Sequence, residues 1–310
     1  MIIVSIKKIL LFSILIIFIP FIIVNLFIKK DDIIFNYTSN KVVRVKKDDT
    51  GEIIKVPLEE YVYGVVSSEM PASFNEEALK AQAVASRTYV MYAMENSRNR
   101  DFDVYDSVNS QVYNSEDNLK EFWGDKYGEY SNKIKKVIID TKGEYITYND
   151  EIIEAFFFST STGYTENSEE VFNEELPYLR SVESAWDKNS PSFNNEIEIS
   201  KNDFYNKLGI GYSDILDISD VEKTVSGRIK SLKINGAYFK GVDVRTKLGL
   251  RSTFFTFYEN GNKIIIKTKG YGHGVGMSQY GAQGMALAGF KYEDIIKYYY
   301  TGVEIKKIDN

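Results

Sequence analysis

The chain has no cysteine and only one histidine, His273, among its 310 residues. Disulfide bonds and thiolate metal sites are therefore excluded, and the side chains needed for a structural zinc site are missing. Basic residues are also in the minority, since the formal net charge is −6 and the isoelectric point is near 5.2. A nucleic-acid partner would require a basic face, so this charge balance argues against one. We expect no metal ion and no other cofactor.

The first 30 residues differ in composition from the rest of the chain. Residues 9–28 form an almost uninterrupted apolar run with a pair of lysines at each end. A run of about 20 apolar residues is long enough to cross a bilayer. A cleaved signal peptide is the alternative, but no small-x-small cleavage site follows the run. We expect residues 1–30 to form a single-pass membrane anchor, residues 31–41 a linker and residues 42–310 one folded domain.

The stretch from Leu58 to Val90 has the pattern of a helix, a break and a second helix. Apolar residues recur at helical spacing after Leu58, and Pro71 disfavours helical angles at the residue before it, so the first helix should end near Glu69. Asn75 can cap the second helix, which then continues without glycine or proline. The sequence therefore places Glu69 at the break.

The rest of the chain shows strand-like runs separated by turn residues. Val42–Lys46 and Ile53–Val56 predict one hairpin, and Glu144–Tyr148 and Glu151–Phe158 predict a second. The later segment GYGHGVGMSQYGAQG has alternating glycines, but its spacing fits neither a dinucleotide-binding loop nor a nucleophile elbow. We predict an α+β fold of mixed hairpins and helices around the helix-break-helix segment, preceded by one transmembrane helix.

Two charged residues of the helix pair are in unusual surroundings. A helix C-terminus repels negative charge, and the apolar neighbours of Glu69 exclude water, so both effects favour its protonated form. A carboxyl group that stays protonated near neutral pH can act as a general acid. Arg87 lies on a helix that is apolar nearly all round, so it needs a carboxylate, a backbone group or a ligand as partner. The alternatives are a solvated helix-end residue for Glu69 and a structural ion pair for Arg87.

The segment EEYVYGVVSSEMPASFNEEALKAQAVASRTY resembles the signature of the stage II sporulation protein D family, which are membrane-anchored peptidoglycan lytic transglycosylases of endospore formers. The resemblance continues in FSTSTGYTENSEEVF, LPYLRSVESAWD and GYGHGVGMSQYGAQGMA, and covers the chain from about residue 40 to residue 305. The family more often has lysine where this chain has Arg180, which keeps the charge but changes the hydrogen-bond geometry. The resemblance implies a catalytic Glu69 and a glycan-binding set of Arg87, Tyr178, Arg180 and Asp187.

The same resemblance implies an activity and a setting. The enzyme would cleave the bond between N-acetylmuramic acid and N-acetylglucosamine and leave 1,6-anhydro ends, during septal wall remodelling in sporulation engulfment. The domain would face outward from the cell membrane, although the lysines around the anchor do not fix its orientation. A partner amidase and a membrane scaffold are also implied. Some relatives bind zinc through histidine and cysteine, but this chain has Tyr105, Asn109 and Ser110 in that region.

The sequence is compatible with two other functions. Related domains are described as amidase enhancers, which bind glycan and stimulate another enzyme without necessarily cutting. A lysozyme-type hydrolase would need a second carboxylate to activate water, and Asp187 is the candidate. His273 could serve in acid-base chemistry or have a structural role. The aromatic region 96–129 could line a glycan groove or form core beneath a loop.

Overall fold

The computed structural model describes residues 40–308. The predicted membrane anchor and nearly all of the predicted linker lie outside this range and stay predictions. Within residues 40–308, no helix combines the length and the apolar character needed to cross a membrane. The described chain is a mixed α+β domain of helices and several small sheets, in agreement with the predicted fold class.

Helices and strands alternate irregularly along the chain, and short 3-10 turns lie at Gly124–Lys126 and Ala185–Asn189. The helices are α1 (Leu58–Glu69), α2 (Glu76–Asn96), α3 (Glu116–Trp123), α4 (Tyr127–Asp140), α5 (Glu169–Phe172), α6 (Lys201–Leu208), α7 (Gly241–Leu248), α8 (Gln279–Leu287) and α9 (Tyr292–Tyr299). The strands are β1 (Val42–Lys46), β2 (Ile53–Pro57), β3 (Val104–Tyr105), β4 (Glu144–Tyr148), β5 (Glu151–Ile152), β6 (Phe157–Phe158), β7 (Asn194–Ser200), β8 (Ile218–Lys223), β9 (Ile229–Ile234), β10 (Ala237–Lys240), β11 (Phe255–Asn260), β12 (Lys263–Lys269), β13 (Met277–Ser278) and β14 (Glu304–Lys307).

Helix α2 is the centre of the helical part of the domain, where it contacts α1, α4, α8, α9 and β4. The side chain of Asn75 caps it by accepting the backbone N–H of Glu77 at 2.9 Å, as predicted. Small buried residues such as Ala81 and Ala85 let neighbouring elements approach from several sides. Helix α1 ends at Glu69 because Met70, before Pro71, takes extended backbone angles.

Residues 194–269, called the insert below, have a hydrophobic core of their own. This core is built from side chains such as Phe204, Ile234, Val244 and Ile266, all of them fully buried. Two antiparallel sheets, β10-β9-β8 and β11-β12-β7, surround it together with α6 and α7. The insert separates β6 from β13 in sequence, yet these two strands pair in parallel.

The glycine-rich loop runs closely against the segment that contains β6. A Cβ atom on Gly276 would lie 2.1 Å from the carbonyl oxygen of Phe156, so no side chain fits there. The backbone φ of Gly276 is also positive, at 78°. Close backbone approach therefore accounts for this glycine. Positive φ angles are shared by Gly270, Gly272, Gly274 and Gly276.

The hairpin predictions have different outcomes. Strands β1 and β2 pair in antiparallel register, which confirms the first hairpin. Strands β4 and β5 also pair in antiparallel register, which confirms the start of the second hairpin. Its predicted continuation to Phe158 was wrong, because β5 ends at Ile152 and β6 pairs with β13 instead. The region 96–129 contains helix α3, whose N-cap is Ser115. Strands β7 and β14 were not predicted.

Candidate functional site

An open groove of about 770 Å³ lies between the C-terminal end of α1 and the glycine-rich loop. Its walls also include the loop from Val108 to Val112, the residues around β6 and the start of α8. Glu69 is the only acidic side chain among the described residues that line this groove. The aromatic rings of the lining belong to Tyr89, Phe156, Phe157, Phe158, Phe172 and Tyr271.

The carboxyl group of Glu69 is held between two hydrogen-bond donors. The backbone N–H of Val112 donates to its Oε1 at 2.7 Å, and the side chain of Gln279 also hydrogen-bonds to it. Burial raises the pKa of Glu69, and these two hydrogen bonds oppose the shift without cancelling it. The group therefore keeps its proton more readily than an ordinary glutamate, and its carboxylate form still has donors to stabilise it.

The loop that carries Val112 is fixed by packing against α1. The hydroxyl of Tyr61 donates to Gln111 Oε1 at 3.2 Å, and the rings of Tyr61 and Tyr113 stack with centroids 5.4 Å apart. Gly64 makes this possible, because a Cβ atom there would lie 2.5 Å from the ring of Tyr113. The same helix therefore presents Glu69 and positions the N–H that contacts it.

The junction of β13 and α8 positions Gln279, the second hydrogen-bond donor to Glu69. Ser278 caps α8 by accepting the backbone N–H of Gly281 at 3.2 Å. Gln279, the first residue of α8, donates through Nε2 to Gln82 Oε1 on α2 at 3.4 Å. This arrangement points the amide of Gln279 toward both α2 and Glu69.

Asp187 is fully buried beneath this junction and does not line the groove. Its Oδ1 accepts from the backbone N–H of Ser161 at 2.9 Å and from Ser278 Oγ at 2.6 Å. Its Oδ2 accepts from Ser161 Oγ at 2.8 Å and Ser184 Oγ at 2.5 Å. Burial raises the pKa of Asp187, while these bonds act to lower it. The carboxylate fixes the start of α8 and is not placed to activate a water in the groove.

Arg87 is also fully buried, with none of its surface exposed. Its Nε and Nη2 donate to the two carboxylate oxygens of Glu59 at 3.0 and 2.6 Å, and Nη1 donates to the carbonyl of Glu144 at 3.0 Å. The structure does not bring Arg87 into the groove. This geometry is the structural ion pair that the sequence left open as the alternative, and it ties α1 to α2 and β4.

Tyr178 and Arg180 lie behind the groove wall. The hydroxyl of Tyr178 accepts the backbone N–H of Glu154 at 3.2 Å, and burial raises the pKa of Tyr178 to about 12. Arg180 forms two bonds to Glu169, from Nη1 at 3.0 Å and from Nη2 at 2.5 Å. Glu169 begins α5, whose last residue, Phe172, lines the groove. Of the predicted site residues, only Glu69 lines the groove directly.

His273 lines the groove, but both of its ring nitrogens are engaged. The Nε2 atom lies 3.0 Å from the carbonyl oxygen of Phe157, to which it donates, and Nδ1 accepts the backbone N–H of Val275 at 3.1 Å. Burial and the nearby charge of Arg228 lower the pKa of His273 to about 4, so it is neutral near neutral pH. Its position fits a structural role. Nowhere in residues 40–308 are three or more histidine, cysteine, aspartate or glutamate side chains grouped to hold a metal ion.

The aromatic walls of the groove were not identified from the sequence. The run AFFF indicated only a strand, and Tyr271 was noted only as part of the glycine-rich segment. The region 96–129 contributes Val108 to Val112 to the lining, whereas Trp123 packs against Tyr127 and Tyr130 outside it. The signal in the sequence that could have identified these walls is a cluster of aromatic residues next to glycine-rich segments.

Comparison with known proteins gives consistent matches. The family model described as Stage II sporulation protein matches residues 46–148. The chain is 45% identical over 273 residues to Stage II sporulation protein D of Bacillus amyloliquefaciens, covering 86% of this chain and 79% of that protein. It is 44% identical over 259 residues to the protein of the same name from Bacillus subtilis (strain 168), covering 82% and 76%. A protein named Amidase enhancer, also from Bacillus subtilis (strain 168), is 30% identical over 299 residues, covering 78% of this chain and 40% of that protein.

Proposed function

The chain belongs to the stage II sporulation protein D family, and from that membership we propose that it is a peptidoglycan lytic transglycosylase. We place its action in septal wall remodelling during sporulation engulfment. The observation that carries the proposal is Glu69, a half-buried carboxyl group with a raised pKa at the side of an aromatic groove. Among the described residues that line the groove it has no second carboxylate beside it.

In the first step Glu69 acts as a general acid. Its proton passes to the glycosidic oxygen between N-acetylmuramic acid and N-acetylglucosamine, and the bond from C1 to that oxygen breaks. Positive charge then develops at C1 of the muramyl sugar. Burial supports this step, because it favours the protonated form of the carboxyl group before the reaction.

In the second step the same residue acts as a base. The carboxylate takes the proton of the muramyl 6-hydroxyl while that oxygen attacks C1, which closes a 1,6-anhydro ring and adds no water. The N–H of Val112, 2.7 Å from Oε1, and the amide of Gln279 stabilise the carboxylate between the two steps. One carboxyl group is sufficient because the nucleophile belongs to the substrate.

The groove supplies the binding surface for the strand. Sugar rings have apolar C–H faces that pack well on aromatic side chains, and Tyr89, Phe172 and Tyr271 offer such faces. Arg87 fixes the start of α1 through Glu59, and Asp187 fixes the start of α8, whose Gln279 bonds to Glu69. Tyr178 holds Glu154, close to the wall residue Phe156, and Arg180 holds Glu169 at the start of the helix that carries Phe172.

The setting follows from the substrate. Peptidoglycan lies outside the cell membrane, so we propose an anchor in residues 1–30 with the domain outside the membrane. The relative named Amidase enhancer supports an amidase as a partner in the same process. We also propose a membrane scaffold as a partner, because the resemblance to the family implies one.

The test is digestion of purified cell wall by the full-length protein, with mass spectrometry of the released fragments. Wild type should release fragments with 1,6-anhydro ends, and Glu69→Gln should release none while it still binds glycan. Glu60→Gln is the matched control, since Glu60 is a half-buried glutamate of the same helix outside the groove lining. Undiminished release by Glu69→Gln would contradict the proposal, and reducing ends would indicate a hydrolase.

A second function is favoured by the similarity to the Amidase enhancer. The domain would then bind glycan strands and stimulate an amidase without cutting them. In that case wild type and Glu69→Gln would bind glycan equally, neither would release anhydro fragments, and both would accelerate an added peptidoglycan amidase. The digestion experiment therefore separates the two functions.

A further inference from the structure

Arg228 is a buried cation whose hydrogen-bonding capacity is only partly used. It lies directly before β9 and is 1% exposed. Its Nη1 donates to the carbonyl of Gly272 at 3.1 Å. Its Nε and Nη2 are buried and have no hydrogen-bond acceptor among the described residues. A buried donor without a partner has lost its bonds to water and gained none in return, so an acceptor at this position is strongly favoured.

The two unpaired nitrogens form one edge of the guanidinium plane. In Arg87 the same pair of atoms, Nε and Nη2, binds both oxygens of Glu59 at 3.0 and 2.6 Å. This edge matches the spacing of two carboxylate oxygens and binds them through parallel hydrogen bonds. The unused edge of Arg228 therefore has the geometry of a carboxylate receptor.

Arg228 lines a pocket that adjoins the groove. The pocket has a volume of about 330 Å³ and lies between α5 and the insert. Arg245 and His273 line both this pocket and the groove, so the two spaces meet at these residues. Arg245 is a second cation at the junction, and its Nε donates a long hydrogen bond of 3.4 Å to the carbonyl of Leu250.

The acidic residues of the pocket are held by other groups. Glu166, the carboxylate whose charge acts most on Arg228, accepts from Thr224 Oγ1 at 2.6 Å and Ser226 Oγ at 2.5 Å. Glu169 is paired with Arg180, and Glu170 with Lys230 at 2.9 Å. Within residues 40–308 neither Arg228 nor Arg245 has an ion-pair partner within 4.0 Å, which leaves both guanidinium groups for a ligand. The carboxylates that line this pocket are those of Glu166, Glu169, Glu170 and Glu222.

Two further observations fit a binding role for Arg228. Burial lowers its pKa to about 10, so it remains a cation at neutral pH. Gly274 packs against the guanidinium, since a Cβ atom there would lie 2.7 Å from Cζ and Nη2. The glycine-rich loop therefore makes room for the charged group beside the pocket.

We propose that Arg228, with Arg245 beside it, forms a subsite for a carboxylate group of the strand that occupies the groove. The inference rests on the proposed function, because it takes the groove to bind peptidoglycan. Two sources of a carboxylate exist on such a ligand: the lactyl group of muramic acid, and the end of a peptide attached to that lactyl group. Both offer the same two oxygens to the arginine edge.

The experiment measures binding by isothermal titration to the full-length Glu69→Gln protein, which does not depend on turnover. The probes are N-acetylmuramic acid, its methyl ester, an N-acetylmuramyl peptide with a free carboxyl end, and inorganic phosphate. We expect the acid to bind about tenfold or more tightly than the ester, since charge-assisted bidentate bonds are lost in the ester. Tighter binding of the peptide than of the acid would identify the peptide end as the source.

Substitutions then assign the effect to the subsite. Arg228→Met should abolish the difference between acid and ester, Arg228→Lys should keep part of it, and exposed Arg98→Met should leave it unchanged. Arg245→Met is a second variant, and it should reduce the same difference if Arg228→Met does not fold. Without ligand, Arg228→Met should lower the melting temperature only as far as the loss of the single Nη1 bond to Gly272 requires, because the free edge has no internal acceptor to lose.

Three results would overturn the inference. Equal affinity for acid and ester, a difference that survives both Arg228→Met and Arg245→Met, or phosphate binding as tightly as the acid would each exclude a carboxylate subsite. These results are independent of the proposed function. Wild type could release anhydro fragments without any preference for the acid, and the preference could exist in a protein that cuts nothing.

Discussion

Loss of the buried cation at Arg87 should cost the protein several kcal/mol. In Arg87→Met the carboxylate of Glu59, whose side chain is 3% exposed, loses two hydrogen bonds and its counter-charge. Removing one partner of a buried ion pair costs about 3–5 kcal/mol. Glu59 would keep the N–H of Gly143 at 3.2 Å, which favours the lower end, about 3 kcal/mol. That is roughly a hundredfold change in the unfolding equilibrium constant.

A double substitution tests the origin of this loss. Glu59→Leu alone leaves the guanidinium of Arg87 buried without a counter-charge, so it should also be strongly destabilising. Glu59→Leu combined with Arg87→Met removes both charges and should recover most of the lost stability. The assay is denaturant unfolding of wild type, both single variants and the double variant, with the free energy of unfolding compared at pH 7.

The result that would refute the reasoning is a stable Arg87→Met protein. If its free energy of unfolding stays within about 0.5 kcal/mol of wild type while its affinity for glycan falls, Arg87 reaches the ligand. The glycan-binding role implied by the family resemblance would then apply, and the ion pair with Glu59 would not be its main function.

Three further predictions concern the groove. The protonated form of Glu69 is the general acid, and its pKa is raised. The value of kcat/KM for wall digestion should therefore be level below that pKa and fall as the pH rises through it. A value that increases there would contradict the assignment of Glu69 as the acid. Gly276→Ala should yield little folded protein in expression trials, because its Cβ would lie 2.1 Å from a carbonyl oxygen, whereas Gly236→Ala, with nothing within 4 Å, should lose only about 1 kcal/mol. Phe172→Ala should weaken glycan binding by roughly tenfold through lost ring contact, measured by titration, and Phe122→Ala on the exposed face of α3 should not.

Local signals were enough to predict the helix pair. Asn75, Pro71 and the apolar spacing act over a few residues, and the structure confirms both helices. The segment of β6 could not be predicted in the same way, because its partner β13 lies beyond the whole insert. A strand whose pairing is remote in sequence resembles the continuation of a nearby hairpin until the fold is known.

The site was predictable to the extent that one residue had unusual surroundings. Glu69 could be singled out because a carboxyl group at an apolar helix end is rare. Arg87 and Asp187 were also recognised, but the sequence could not show that Glu59 or a set of serine hydroxyls lies next to them. Contacts of this kind join distant segments and depend on the packing of α1, α2 and α8.

The groove is formed by segments from opposite ends of the domain, so it cannot form until both segments have been synthesised. Glu69 comes early in the chain, whereas Gln279 and the glycine-rich loop follow the insert. A nascent chain that has been synthesised only as far as the insert lacks one wall and one donor to the acid. Such a protein can acquire its complete groove only after nearly all of it has been made.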